Sequence, residues 1–333
     1  MPQRRLTRQQ RERISQSQER RRQRAVRRAG AAREDGLGGE QPGLVIANFG
    51  PALIVEDLQG GLHRCRVRQN LEPLACGDRV VWQDAATGEG VVVAAQPRRS
   101  LLTRPDYGGR PRPVAANLHQ LIMVAAPRPE LSESLIDRYL VMVEHIGVGG
   151  LLVLNKIDLL TADQRTDLEA RLAVYRRIGY PLLFASTRAA HGLDELRAHL
   201  RERASILVGQ SGVGKSSLIK ALLPDREIRI RAVSEATGLG AHTTSTATLY
   251  HLPGGGDLID SPGVRSFEPA ELDVDDLERG FVEFAPYLGR CRFADCRHTV
   301  EPGCALLEAV ERNAIDPRRF ASYQQIKASL AGA

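Results

Sequence analysis

The chain contains 333 residues, more than one typical domain needs, so we expect about two or three compact units with separate cores. Apolar residues make up 42% of it and charged residues 26%, without a run of about 18 apolar residues that would span a bilayer. This composition excludes a transmembrane protein, and the arginine-rich start lacks the apolar stretch of a secretory signal. We expect a cytoplasmic protein without membrane contact.

The net charge of +6 is concentrated at the start of the chain, where residues 1–33 hold twelve arginines and two glutamates and carry +10. The other 300 residues together carry −4. Residues 1–42 have almost no large apolar side chains, which predicts a basic disordered arm. We interpret the arm as an RNA-binding segment, because concentrated positive charge favours polyanions; a solubilising tail is the alternative.

Residues 43–105 are predicted to form a small five-stranded β-barrel of the OB-fold type, which often binds oligonucleotides. The predicted strands are Gly43–Asn48, Ala52–Glu56, His63–Val67, Asp78–Trp82 and Gly90–Ala95. Trp82 and Phe49 are candidates for stacking on bases, although aromatic residues in so small a barrel more often belong to its core. Cys65 and Cys76 are interpreted as ordinary thiols.

Residues 106–268 have the texture of an α/β domain. Continuous apolar runs at 121–126, 151–154 and 205–208 alternate with helical patterns such as Ser134–Ile146. Apolar strands separated by helices indicate a parallel sheet that is covered on both faces. Residues 269–333 are expected to form a separate, mainly helical unit.

A base-reading tetrad follows the second apolar run, with Asn155, Lys156 and Asp158 as its polar members. A carboxylate at Asp158 can accept hydrogen bonds from guanine N1–H and N2–H₂, a pairing that adenine does not offer. Ser186, at the end of the predicted strand 180–185, is the expected fourth contact with the base. An isolated tetrapeptide is a weak signal, and it becomes convincing in combination with the phosphate loop that follows.

The segment from Gly209 to Ser216 fits G-x-x-x-x-G-K-[ST] between an apolar strand and a helical run, which is the context that a P-loop requires. Its glycines let backbone N–H groups turn towards phosphate oxygens at a helix N-terminus. Lys215 is expected to reach the β- and γ-phosphates, and the Ser216 hydroxyl to bind Mg²⁺. The full predicted loop comprises Gly209, Gln210, Ser211, Gly212, Val213, Gly214, Lys215, Ser216 and Ser217.

Two later segments are predicted to be switch loops. The first, residues 237–245, contains Thr243 and Thr244, either of which can close onto Mg²⁺ and the γ-phosphate. The second follows a predicted strand at 257–259 and contains Asp260, a Mg²⁺ ligand through water, and Gly263, whose N–H can meet the γ-phosphate.

The residue after Gly263 is Val264, where many GTPases carry a glutamine that orients the attacking water. Because valine cannot form that hydrogen bond, we expect slow intrinsic hydrolysis. Our hypothesis is that His242 in the first switch positions the water, or that a partner remodels the site. An ordinary exposed loop histidine is an equally weighted alternative for His242.

Near the C-terminus, three thiols and one imidazole lie within 14 residues and form a complete tetrahedral ligand set for structural zinc. The ligand candidates are Cys291, Cys296, His298 and Cys304. Four protein ligands leave no open position, so the metal is expected to hold the fold. The alternative is a reduced cluster without metal.

The base-reading residues precede the P-loop, which reverses the usual GTPase order and indicates circular permutation. With this order, the chain resembles the RsgA (YjeQ) family of permuted GTPases. The motifs that carry the resemblance are Gly43–Ile46, Gly77–Trp82, Leu102–Pro105, Asn155–Asp158, the P-loop, Gly238–Thr244 and Asp260–Arg265.

The resemblance implies an OB barrel, a permuted GTPase and a zinc domain whose ligands match the four residues above. It implies hydrolysis of GTP to GDP and phosphate with Mg²⁺, binding of the small (30S) ribosomal subunit and its 16S rRNA, and a role in late subunit maturation. We expect a monomer whose turnover is stimulated by the subunit and whose hydrolysis drives release. The barrel, arm and zinc domain would grip the RNA.

Two rival functions differ in class. A P-loop kinase for a small substrate is disfavoured by the base-reading tetrad and the two switch loops. A passive RNA-binding module with a structural nucleotide would show neither turnover nor a change of RNA affinity with nucleotide.

Overall fold

The structure is a computed structural model, and the account that follows is confined to the part of the chain it describes. The described residues are 37–50, 52–69, 71–85, 88–106, 108–189, 191–225, 247–261 and 272–331. Among the helices in these ranges, none combines the length and the apolar character needed to cross a bilayer.

The N-terminal unit is a closed five-stranded barrel, as predicted. Its strands are β1 Leu37–Asn48, β2 Ala52–Glu56, β3 Leu62–Val67, β4 Arg79–Ala85 and β5 Gly90–Ala95. They pair in the order β1-β2-β3-β5-β4, and β4 returns to β1 to close the ring. Strand β1 begins six residues before the predicted Gly43, because its first part pairs with β4, for example Gln41 with Trp82.

Two residues that the sequence analysis discussed, Trp82 and Cys65, are buried in the barrel core. Trp82 is 1% exposed and packs with the buried residues Val45, Leu53 and Val92, so it belongs to the core and is not a platform for bases. Burial also raises the pKa of the Cys65 thiol to about 12, which makes it an inert core residue.

A separate two-stranded hairpin follows the barrel, with β6 Leu101–Pro105 and β7 Pro111–Ala116. It straddles the domain boundary expected at residue 105. Ala115 of β7 also forms an isolated bridge to Cys76, which ties the hairpin back to the barrel.

The central unit contains a six-stranded sheet in the order β10-β9-β8-β11-β13-β12. The strands are β8 Gln120–Ala125, β9 Gly149–Leu154, β10 Leu182–Phe184, β11 Ala204–Val208, β12 Thr248–His251 and β13 Asp257–Asp260. Neighbours are parallel except for β12, which runs antiparallel to β13. Strand β12 also pairs with β1, Thr248 opposite Ala47, so the barrel and this sheet are continuous.

Helices cover both faces of this sheet and give it two buried cores. The helices of this unit are α1 Glu133–Ile146, α2 Ala162–Arg177, α3 Leu193–Leu200 and α4 Lys215–Leu222. Ser132 caps α1 by accepting a hydrogen bond from the Leu135 N–H, and Thr161 begins α2 in a capping box with Gln164.

The C-terminal unit contains α5 Val274–Gly280, α6 Ala305–Glu311 and α7 Pro317–Ala331 around an aromatic core. A buried ion cluster fastens α7 to the central unit. Arg319 is 1% exposed, and its guanidinium lies 2.5 Å from Asp137 of α1 and 2.7 Å from Glu283. The two carboxylates compensate the buried charge, and α7 is therefore fixed against α1.

Candidate functional site

The predicted nucleotide contacts meet at one edge of the central sheet. Asn155 follows β9, Ser186 follows β10, Gly209 follows β11, and Asp260 is the last residue of β13. Since these strands are parallel, their carboxyl ends lie along the same edge, where α/β sheets generally bind ligands. The order of motifs in the chain is permuted, and the topology still gathers them.

The P-loop needs glycine at two crowded positions. Gly209 has φ +136°, and a Cβ there would collide with the carbonyl oxygen of Val124 on β8. Gly214 has φ +95°, caps α4, and has the side-chain amide of Asn155 where a Cβ would lie. The loop is thereby pressed against the neighbouring strand ends, and the N-terminus of α4 is left at the sheet edge.

Lys215 is the first residue of α4, and its side chain turns back over the loop. Its Nζ donates to the carbonyl oxygens of Gly209 at 2.5 Å and Gln210 at 2.7 Å. The ammonium thus lies at the mouth of the loop, whose open turns are the phosphate-binding element of this motif.

Asn155 and Lys156 join the base-reading loop to the P-loop. The buried side chain of Asn155 donates to the carbonyl oxygen of Val213 at 2.9 Å. Lys156, in the left-handed backbone region at φ +61°, donates from Nζ to the carbonyl oxygens of Gly212 and of Arg128, the latter at 3.0 Å. These contacts fix the two loops to one another.

Asp158 and Ser186 form the other half of the base-reading site. The Ser186 hydroxyl donates to the Asp158 carboxylate at 2.5 Å and accepts from the backbone N–H of Ala189 at 3.1 Å. Ser186 is fully buried, while Asp158 is exposed. The exposed carboxylate is held in place by a residue whose backbone and side chain are both anchored.

The donor and acceptor balance of this pocket fits a bound nucleotide. Asn155 is 1% exposed, and its Oδ1 has no hydrogen-bond partner within the described residues. A buried amide oxygen without a partner is costly, so this acceptor is available to a ligand or an ordered water at the sheet edge. Together with the loop glycines and the Lys215 ammonium, it fits the predicted site for a base and for phosphates.

Some predicted residues have no structural account. His242, Thr243, Thr244 and Gly263 lie outside the described residues. The exposed hydroxyl residues Ser216 and Ser217 lie in the first turn of α4, where the motif places them.

The carbonyl oxygen of Arg128 is a contact that the sequence did not reveal. It lies in the loop after β8 and receives Lys156. A backbone acceptor has no residue-type signature, so only the position of β8 between β9 and β11 could have indicated it.

The four C-terminal ligand candidates form one compact cluster. Their ligand atoms all lie within 4.8 Å of one another, with His298 Nδ1 3.3 Å from Cys304 Sγ and 3.6 Å from Cys291 Sγ. Burial and the neighbouring thiols raise the pKa of Cys296 to about 12. A bound divalent cation favours the thiolate form, so three thiols and one imidazole whose ligand atoms lie this close together fit a metal such as zinc.

The far side of His298 is also occupied. Its Nε2 lies 3.6 Å from a carboxylate oxygen of Glu278, which in turn accepts from the Tyr323 hydroxyl at 2.8 Å. Burial opposes ionisation of Glu278, but the nearby His298 imidazole and the hydrogen bond from Tyr323 outweigh it and lower its pKa to about 2. Such an outer carboxylate orients a ligating imidazole, and it was missed because it lies twenty residues upstream of His298.

The geometry defines a P-loop GTPase whose base-reading strands precede the phosphate loop in the chain. A sequence model described as RsgA GTPase matches residues 95–270. The small ribosomal subunit biogenesis GTPase RsgA of Azotobacter vinelandii (strain DJ / ATCC BAA-1303) is 52% identical to the chain, covering 99% of this chain and 98% of the relative. The chain therefore belongs to the RsgA GTPase family.

Solved structures agree with this assignment. YjeQ from Thermotoga maritima is 32% identical and superposes with a TM-score of 0.72, covering 88% of this chain and 99% of YjeQ. YloQ, described as a circularly permuted GTPase, is 27% identical with a TM-score of 0.69, covering 90% of this chain and 98% of YloQ. The predicted permutation is confirmed, and the protein is a GTP hydrolase.

Proposed function

We propose that this GTPase acts on the small ribosomal subunit during its late maturation, that the subunit stimulates hydrolysis, and that hydrolysis releases the protein. The supporting observation is the grouping of the guanine- and phosphate-binding motifs at one sheet edge, in a chain that is 52% identical to a protein named as a small ribosomal subunit biogenesis GTPase. The basic N-terminal residues, the barrel and the C-terminal unit supply contacts to 16S rRNA. The protein works as a cytoplasmic monomer.

The residues of the site divide the work between binding and electrostatic stabilisation. Asp158, held by Ser186, selects guanine; the P-loop N–H groups and Lys215 bind the phosphates and oppose the charge that develops on them. Mg²⁺, when bound, neutralises charge on the β- and γ-phosphates, and Ser216 and Asp260 are the residues that would hold it together with Thr243 or Thr244. Gly263 is the residue whose N–H would contact the γ-phosphate.

Activation of the attacking water is the step that a partner can complete. The side chain of Val264 can form no hydrogen bond, so we assign the positioning of the water to His242 under the control of the bound subunit. Full subunit-stimulated turnover in a His242→Ala variant would refute this assignment.

The C-terminal cluster is proposed to bind one structural Zn²⁺. Cys291, Cys296, His298 and Cys304 would fill all four positions, which leaves none for a substrate. Metal analysis of the purified protein tests this, with about one zinc per chain as the expected result.

The functional proposal is tested by measuring GTP turnover of the purified protein with Mg²⁺, alone and with small subunits, large subunits or free RNA. We expect slow turnover alone and strong stimulation by small subunits only. Equal stimulation by large subunits or free RNA, or no stimulation at all, would remove the proposed partner while leaving the GTPase assignment intact.

A further inference from the structure

The imidazole of His251 bridges the barrel and the central sheet. It contacts the first residue of β13, whereas the predicted nucleotide contact Asp260 is the last residue of that strand. His251 ends β12; its Nδ1 lies 2.6 Å from Asp257 of β13, and its Nε2 lies 2.6 Å from Glu56 of β2. Glu56 and His251 are 195 residues apart in sequence and belong to different units. Strand β1 pairs with both β2 and β12 and lies between them in the sheet.

The bridge requires a charged imidazole. Each ring nitrogen faces a carboxylate oxygen, and carboxylates only accept hydrogen bonds when ionised. Both nitrogens donate only in the imidazolium form, whereas a neutral ring would turn a lone pair towards one carboxylate. The hydrogen bonds to Asp257 and Glu56 raise the pKa of His251 to about 10, so the charged form is present at physiological pH.

Each carboxylate is connected to a different functional region. Asp257 starts β13, the four-residue strand that ends at Asp260, and it pairs with Ala204 of the strand that leads into the P-loop. Glu56 ends β2 immediately before the hairpin turn 57–61, whose tip residue Leu58 is 77% exposed. A partner that contacts this turn would therefore act on residues adjacent to Glu56.

We propose that His251 is a positioning residue that couples the barrel to the nucleotide site, through Glu56 on one side and the Asp257–Asp260 strand on the other. Residues 247–261, which contain His251, also join the two segments that hold the sequence-predicted switches. A shift of the barrel is thereby passed to Asp260 by a charged hydrogen-bonded link, and the reverse shift follows by reciprocity of coupling. The regulatory meaning of this link, sensing of the small subunit by the barrel, rests on the proposed function.

The chain offers a matched control for this bridge. His63 and Asp57 form another imidazole–carboxylate pair, with 2.7 Å between Nε2 and the carboxylate oxygen, but both residues belong to the β2–β3 hairpin of the barrel. His63→Gln therefore removes a similar pair without cutting a link between units. His251→Gln removes the charge of the bridge, and His251→Arg keeps a cation that can serve two carboxylates.

The first experiment needs no ribosome. Hydrogen exchange is followed in Ala52–Glu56 of wild type and the three variants, with and without a non-hydrolysable GTP analogue and Mg²⁺. We expect the analogue to change exchange of β2 in wild type, His63→Gln and His251→Arg, and to leave it unchanged in His251→Gln, with P-loop protection equal in all four. A β2 response that persists in His251→Gln, or that is missing in wild type, overturns the coupling.

The second experiment measures basal and small-subunit-stimulated GTP turnover. In His251→Gln, basal turnover should be unchanged and the factor of stimulation by small subunits should fall about tenfold, which is a typical size for coupling between two sites. His251→Arg and His63→Gln should keep both rates. Wild-type stimulation in His251→Gln contradicts the inference. Absence of stimulation in wild type itself would instead refute the proposed function, and the exchange experiment would still decide the coupling.

Discussion

At the nucleotide site, side chains from the sequence motifs make contact mainly with backbone carbonyls of neighbouring loops. Lys215, Lys156 and Asn155 all donate to main-chain oxygens. In the Cys–His cluster, the side chains contact one another and pack into the core of the C-terminal unit, where Cys304 is 1% exposed. We therefore expect the first site to be supported by a fold that forms without it, and the second to help hold its own fold together, so that variants of the two sites differ.

The largest effect is expected from removing one cluster ligand. Cys304→Ser should lose the metal and the ordered packing of the C-terminal unit, because binding of structural zinc contributes about 10–16 kcal/mol to folding in small zinc peptides. Zinc content and hydrogen exchange of Pro317–Ala331 are the measurements. Cys65→Ala, which removes a buried thiol of the barrel, serves as the control and should retain the zinc.

The comparison would break if Cys304→Ser lost zinc but kept the protection of Pro317–Ala331. The cluster would then be an accessory of a unit whose aromatic core, with Phe281, Phe284 and Tyr323, is sufficient for folding.

Lys215→Ala tests the expectation that the nucleotide site does not support the fold. GTP hydrolysis should fall by about a hundredfold or more, as is typical when a donor to developing negative charge is removed from an enzyme site. The melting temperature should change little, since Nζ donates to carbonyl oxygens of its own loop, and the close packing at Gly209 and Gly214 also fixes that loop. Lys220→Ala, an exposed position on the same helix, is the control, and single-turnover hydrolysis with thermal melting gives both readouts.

A marked loss of stability in Lys215→Ala would show that the loop depends on its lysine for folding. The contrast between a supported site and a supporting site would then no longer hold.

Asp158→Asn should have a smaller effect, confined to base choice. Losing charge-assisted hydrogen bonds to guanine should weaken GTP binding by about tenfold to a hundredfold. Xanthosine triphosphate, which has a carbonyl where guanine has its amino group, should gain in relative affinity because asparagine supplies a donor. Titration with both nucleotides measures the ratio, and Asp194→Asn on α3 is the control. An unchanged GTP-to-xanthosine ratio would remove Asp158 from base recognition.

Local patterns in the sequence were sufficient for much of the fold and of both sites. The five barrel strands, helix α1 and the carboxyl-end positions of Asn155 and Gly209 followed from periodicity and motif context. Contacts between distant segments were not accessible in this way. The early start of β1 depends on pairing with β4, and the Glu278 partner of His298 lies outside the ligand motif. Such contacts depend on tertiary packing, which leaves no local signature.

The His251 bridge is another contact between distant segments that the sequence did not predict. Its titration should have the smallest effect among our predictions, a change in the stability of the folded protein. Its pKa is about 10 in the folded protein against 6.5 for an ordinary histidine. A histidine whose pKa is higher in the folded than in the unfolded state stabilises the folded protein. This contribution is fully present below about pH 6.5 and is lost as the pH rises through about 10. Because the side chain is 43% exposed, solvent screening limits the contribution to about 1 kcal/mol.

Thermal melting of wild type and His251→Gln should therefore differ most near pH 6 and converge above pH 10. His251→Arg is the control, since its cation does not titrate in this range and its difference from His251→Gln should persist at high pH. A constant difference between wild type and His251→Gln across the whole range would mean that the ring stabilises the junction by packing alone. In that case Glu56 and Asp257 would be neighbours of His251 without being its charge partners. The junction would then resemble the nucleotide site, which the surrounding fold supports, and would not be held together by its own side chains.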